Sequence, residues 1–191
     1  MSAHTVLSFA MQNHGSAFAH WLRSELMRHL SLFDIDAVYL DCVVSRNVPG
    51  AVTVAVDDRE HMRSPTGARP IGAQRANWKS LYDSAMAEAQ YMVFCYTPEY
   101  RNSRWCMLEW DEFLAENQRR GKDGRNALQG VVLNFTQGRP ALPSLSSSNA
   151  QIISVDKVDG QRRGLTWDQG DYRMSQADLN ELFGRLKGLP Q

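Results

Sequence analysis

Along the chain, short apolar runs alternate with longer stretches in which apolar residues recur every three or four positions. The runs at residues 4–9 (HTVLSF), 37–44 (AVYLDCVV), 91–95 (YMVFC), 128–135 (LQGVVLNF) and 151–155 (QIISV) have the length and the β-branched or aromatic content of buried strands. Phe18, Trp21, Leu22, Leu26, Met27 and Leu30 predict an amphipathic helix over 16–30. Trp78, Leu81, Tyr82 and Met86 predict another over 77–90, with Asn77 as its cap. A third runs from about 103 to 120 and ends at Gly121. Leu179, Leu182, Phe183 and Leu186 form the stripe of a last helix over 175–186, where Ser175 suits the cap. Strand, helix and strand within the first 45 residues make a βαβ unit. Such a unit predicts a parallel sheet with right-handed crossovers.

The connections carry their own pattern. Residues 45–77 are rich in Gly, Pro, Arg and Asp and long for a link inside a compact domain. Within them, the alternation of 51–56 (AVTVAV) predicts a short strand or hairpin, and Pro65, Gly67, Pro70 and Gly72 predict a loop over 63–76. Residues 140–148 are turn-rich, and 160–172 read as a loop carrying Trp167. No repeat or low-complexity segment divides the chain, so one domain over 1–191 is expected.

The stretch 91–110, YMVFCYTPEYRNSRWCMLEW, concentrates the chemistry. Its strand is stopped by Thr97-Pro98, because proline cannot donate to a ladder and restricts the residue before it. Asn102 or Ser103 supplies a capping oxygen for the next helix. Trp105 and Glu109, four apart, share one face of that helix. A ring and a carboxylate thus stand just beyond the end of a strand, the edge at which open α/β sheets bind ligands.

These residues resemble the corresponding region of the Toll/interleukin-1 receptor (TIR) domain, in which a strand is followed by Ser/Thr-Pro-x-Tyr and then Ser-x-Trp-Cys-x-x-Glu. The matching positions are Thr97, Pro98, Tyr100, Ser103, Trp105, Cys106 and Glu109. Ser8-Phe9 stands where the family has Ser-Tyr or Ser-Phe after its first strand. Val38-Tyr39-Leu40-Asp41 stands before the BB loop, and Leu165-Thr166-Trp167 where an aromatic precedes the last helix. The resemblance covers nearly all the chain. It implies a flavodoxin-like α/β fold, with a five-stranded parallel sheet and helices on both faces. Two departures stand out: the BB loop, about 45–77, is much longer than usual, and Ala10 and Met11 replace basic residues that some TIR enzymes carry.

The resemblance also implies an activity. In enzymatic TIR domains the glutamate matching Glu109 cleaves NAD+, with NAD+ as substrate and no cofactor. Nicotinamide leaves as a neutral molecule, and the ribose gathers oxocarbenium-like charge that one fixed carboxylate stabilises. Trp105 either stacks on a flat base or packs in the core. Phe9 is a candidate floor for the nicotinamide or ribose pocket, Ser8 and Ala10 offer backbone groups there, and Ser103 joins the substrate-binding set. Asp41 either orients ribose or caps the BB loop. Arg46, Arg59, Arg63, Arg69 and Arg75 stud the long loop, either as solvated charges or as a lid that brings a guanidinium to the pyrophosphate. TIR domains of this kind associate with one another. A stand-alone one resembles either an antiphage signal producer, whose cyclic ADP-ribose isomer a separate effector reads, or a secreted effector that depletes NAD+. The competing reading is a non-catalytic TIR–TIR interaction module. A third is an enzyme like the nucleoside 2′-deoxyribosyltransferases, which the Trp-Cys-x-x-Glu run fits less well.

Composition narrows the alternatives. Formal net charge is zero, so no bulk field invites nucleic acid or an anionic membrane. No apolar run approaches the roughly 20 residues of a membrane helix, and no signal peptide is read at the N-terminus. Three cysteines, Cys42, Cys95 and Cys106, lack ligand spacing and suit a reducing, cytoplasmic setting, with export by a signal-independent route left open. The five histidines show no pair at ligand spacing, so no metal site is expected. Neither GxGxxG after the first strand nor GxxxxGK[ST] occurs, which argues against a Rossmann dinucleotide site or a P-loop.

Overall fold

The computed structural model describes residues 3–10, 15–34, 37–40, 82–155, 157–158, 161–162, 165–166, 171–172 and 174–187. Five parallel strands form one sheet: β1 (Thr5–Phe9), β2 (Val38–Tyr39), β3 (Tyr91–Tyr96), β4 (Gln129–Asn134) and β5 (Ala150–Ser154), in the order β2-β1-β3-β4-β5. Among the described residues, four helices flank it: α1 (Gly15–His29), α2 over 82–88, α3 (Arg104–Lys122) and α4 (Gln176–Lys187). This is the α/β sheet expected from the sequence.

The strand runs lack a polar face because both faces are covered. Leu7, Val93, Leu133 and Ile153 pack with Phe18, Leu22 and Leu26 of α1 and with Leu179, Leu182 and Phe183 of α4. Val6, Met92, Phe94 and Val132 pack on the opposite side with Met86 of α2 and with Trp110 and Phe113 of α3. A sheet buried on both faces reads as continuous apolar sequence. Trp110 is fully buried, and its indole N–H donates to the Pro143 carbonyl at 2.9 Å, so the one polar atom of the ring is satisfied.

Gly130 of β4 is the tightest point in this packing. A Cβ there would lie 2.8 Å from Ala150 Cβ and 2.9 Å from Phe113 Cζ. Both neighbours are held, one by the adjoining strand and one by the core, so Gly130→Ala is expected to cost about 1–3 kcal/mol. Urea denaturation measures it; a variant as stable as the parent would mean that α3 stands off from the sheet.

Two local expectations are corrected. The long helix does not end at Gly121 but runs to Lys122. The left-handed residue is Gly124, at φ 67°, and the Arg125 N–H reaches back to the Arg120 carbonyl at 2.9 Å. That is a Schellman closure, for which glycine is suited because it has no Cβ to clash. Residues 160–172 are not simply a loop: Lys157–Val158 pairs with Gln161–Arg162, and Leu165–Thr166 with Asp171–Tyr172, both antiparallel. Of the strand predicted over 37–44, the pairing covers Val38–Tyr39; residues 41–44, with Asp41, lie outside the described residues, as do all of 45–81, with Asn77, Trp78 and Leu81, and Trp167.

Candidate active site

Strand order fixes where a ligand can sit. The chain leaves β1 for β2 on one side and returns across β1 to β3 on the other. The C-terminal ends of β1 and β3 therefore flank the switch point, the edge at which open α/β sheets bind ligands.

The sequence builds this edge residue by residue. β1 alternates, so Leu7 and Phe9 face α1 and α4, while Val6 and Ala10 face α2 and α3. Ser8 shares the second face and is fully buried. β3 ends at Tyr96, and Tyr100–Asn102 form a single 3-10 turn. Ser103 then caps α3, its side-chain oxygen accepting from the Cys106 N–H at 3.3 Å. The cap sets the phase of the helix, so that Glu109, in its second turn, points back to β1.

There the Ser8 hydroxyl donates to Glu109 Oε2 at 2.5 Å. The Ser8 and Tyr100 hydroxyls are also in hydrogen-bond contact, and the Tyr100 hydroxyl donates to the Cys106 carbonyl at 3.2 Å. Glu109 is 8% exposed, Tyr100 and Ser8 not at all. Burial pushes the Tyr100 hydroxyl well above the usual phenol range, with Cys106 and the Glu109 charge adding to it and the bond to Ser8 opposing. Burial, with the Glu109 charge, likewise pushes the Cys95 thiol up. Both are neutral groups at any working pH, so neither competes with Glu109 as the charge at this edge.

The remaining predicted residues fall around this cluster. Trp105, one turn before Glu109, is 36% exposed and Leu108 39%, so α3 carries two large apolar side chains at the surface beside the carboxylate. Ala10 is buried on the Glu109 side of the sheet. Phe9 packs on the other side, with Leu7 and Phe18, so its ring and the Glu109 carboxylate are separated by the sheet. Ser103 serves the helix as its cap. Asp41 lies outside the described residues, as do Arg46, Arg59, Arg63, Arg69 and Arg75. Sequence reasoning named Tyr100 as part of a turn but gave it no site role. The signal available was its place: a tyrosine closing the turn between a strand end and the carboxylate-bearing helix.

Chemically, the arrangement is one carboxylate at the rim of a parallel sheet with one oxygen held by a buried hydroxyl. A carboxylate has about four acceptor directions, and the bond from Ser8 takes one of them. An open cleft of about 630 Å3 also lies along the C-terminal edge, lined by Asn134, Thr136, Arg139, Ser154 and neighbours. Its lining includes nothing from β1 or α3, so the carboxylate chemistry is not there. Among the described residues no cluster of three or more His, Cys, Asp or Glu is placed to hold a metal, and no helix is long and apolar enough to cross a membrane.

Residues 69–166 match a family model described as TIR domain. That stretch contains β3, the turn, Ser103 and Glu109; β1, with Ser8, precedes it. No curated protein and no solved structure matches the chain.

Proposed function

Because the chain belongs to the TIR-domain family, we propose that it cleaves NAD+, with Glu109 as the catalytic carboxylate. The observation that carries this reading is a nearly buried carboxylate, fixed by Ser8, at the switch point of the sheet. In the reaction the bond from ribose C1′ to the nicotinamide nitrogen breaks and its electron pair stays on that nitrogen. The leaving pyridinium becomes neutral nicotinamide, so no proton need be supplied. Positive charge develops on the ribosyl group, and Glu109 stabilises it electrostatically, more strongly in a partly dry site than in water. Water then attacks C1′ to give ADP-ribose and a proton. Alternatively, a nucleophile of the same molecule attacks, giving a cyclic isomer and a proton. Trp105, partly exposed on the same helix, is the residue this reading assigns to cover a flat base. The buried, free thiols Cys95 and Cys106 are compatible with work in a reducing cytoplasm, as an NAD+-cleaving signal producer or effector.

A second reading, an interaction module that only recruits other TIR domains, draws on the exposure of Trp105 and Leu108 on α3. One experiment separates the two: nicotinamide release from NAD+, with mass analysis of the other product, over a hundredfold range of protein concentration. Turnover is expected, with specific activity rising as the domains associate. No release at any concentration would leave the recruiting module.

A further inference from the structure

At the N-terminal edge of the sheet, the end opposite the switch point, strands β3, β4 and β5 and helix α4 line a cavity of about 220 Å3. Strand register sets its floor. Tyr91 lies beside Gln129 on adjoining strands, and Val131 beside Gln151. Each stands an even number of residues from Val93, Leu133 or Ile153 on its own strand, so all four belong to the face that packs on α1 and α4. Gly184 and Arg185 of α4 complete the wall. We propose that this cavity binds a small neutral ring carrying a carboxamide or a lactam, whose carbonyl accepts from Gln151 and Tyr91 and whose N–H donates to Gln129.

The polar groups of the cavity keep bonding capacity that the described residues do not use. Tyr91 is 4% exposed and its ring is held against His4, with centroids 5.3 Å apart, yet nothing among the described residues bonds its hydroxyl. A polar side chain that is buried without a partner is rare and costly, and a ligand group is one way to satisfy it. Burial pushes the phenol above its usual range, so the hydroxyl keeps its proton and can donate it. Gln129 gives an N–H to the Ala127 carbonyl at 3.3 Å, which leaves its side-chain oxygen to accept. Gln151 Oε1 accepts from Arg185, which leaves the Gln151 NH2 to donate. One acceptor and two donors on three neighbouring strands, about 4.8 Å apart, complement the C=O and N–H of an amide. Arg185 is paired with Glu181 at 3.2 Å, so its charge is already countered and an anion has less to gain than a neutral group. Val131 and the Tyr91 ring supply the apolar surface. The volume falls below the roughly 300–1,000 Å3 of sites for drug-sized ligands, which suits a single ring.

Benzamide and uracil serve as probes, with benzoate as the charged counterpart of the first. Backbone amide resonances of the full chain are followed as each is added. Benzamide and uracil are expected to move the Tyr91, Val131 and Gln151 signals, with dissociation constants of about 1 mM for ligands of about nine non-hydrogen atoms. Gln151 is exposed, so Gln151→Glu, which is isosteric, keeps the fold while it turns the donor into an acceptor. Binding should weaken about tenfold in that variant, and about fivefold in Tyr91→Phe, which keeps the ring and removes one donor. Signals that stay fixed with both probes at about 10 mM, tenfold above the expected constant, overturn the site. Signals that move only around Glu109 overturn it too, as does equal binding to the parent and to Gln151→Glu. Benzoate binding as tightly as benzamide overturns the neutral ligand class. Should Tyr91→Phe fail to fold, Gln151→Glu decides alone.

Discussion

Glu109→Gln is expected to reduce nicotinamide release from NAD+ on the order of a thousandfold, while the melting temperature holds or rises. Glutamine keeps the length and planarity of the side chain, and its carbonyl oxygen can still accept from Ser8. What it lacks is the charge. If the carboxylate lowers the barrier by electrostatic stabilisation of the ribosyl cation, its loss should cost what removing a preorganised group costs elsewhere, about 10²–10³ in rate. Because glutamine keeps the size of the side chain and can still accept from Ser8, the protein should stay folded. Nicotinamide release under saturating NAD+, beside a thermal melt, checks both halves. A Glu109→Gln protein with near-parental turnover and an unchanged melt would remove Glu109 from the chemistry and leave its shape as the only thing that matters.

The largest effect on stability is expected at Arg120, far along α3 from the carboxylate. The residue is 6% exposed, and its guanidinium makes bonds on all sides. Nε donates to Glu116 at 2.9 Å, one terminal nitrogen to the Asn126 carbonyl at 3.3 Å, and the other to the carbonyls of Met86, Ala87 and Ala89 at 2.6, 3.2 and 2.7 Å. Those last carbonyls close α2, where the final turn has no intrahelical donors of its own, and a cation there also suits the helix dipole. Glu116, itself buried, is further bound by Arg119 and Arg125. Arg120→Leu would fill the space and orphan the Met86, Ala89 and Asn126 carbonyls at once, while Glu116 and the Ala87 carbonyl keep their bonds from Arg125. A loss of about 3–5 kcal/mol is expected, or roughly 10 °C in melting temperature for a chain of this size. Arg120→Lys should recover little, because a point charge cannot span five acceptors as a planar fork does. Specific activity per folded molecule should stay the same. A melt within about 2 °C of the parent in Arg120→Leu would show that water replaces the guanidinium at no cost.

Arg120 also marks where sequence reasoning stops. In the run Gln118-Arg119-Arg120-Gly121-Lys122 it looks like any other solvated cation at a helix end, and only the arrival of the α2 carbonyls, more than thirty residues earlier, makes it a core residue. The sheet was legible because a strand buried on both faces has no polar positions to confuse its run, and α3 was legible because Ser103 and the Trp105–Glu109 spacing are local. The ribbons of 157–172 were not, since two-residue strands are too short to alternate. Gly121 misled for a related reason: a glycine near a helix end suggests the stop, but the left-handed turn that ends α3 belongs to Gly124. The separation of Phe9 from Glu109 was in principle readable. Neighbours on a strand face opposite ways, so Ser8 and Phe9 cannot both line one pocket from the same side of the sheet.

The bond between Ser8 and Glu109 joins positions 101 residues apart, and β1 pairs with β3 across a separation almost as long, Thr5 lying opposite Tyr91. Closing so long a loop is entropically expensive before any contact rewards it, and non-local parallel pairing is slow to form. The carboxylate is therefore without its partner while the chain is being synthesised and until the central pair of strands has zipped. An enzyme that consumes NAD+ would harm the cell that makes it if nascent fragments were active. If Glu109 cleaves NAD+ as proposed, the topology acts as a safety catch: no fragment that ends before Glu109, and none that lacks β1, can bring Ser8, Tyr100 and Glu109 together.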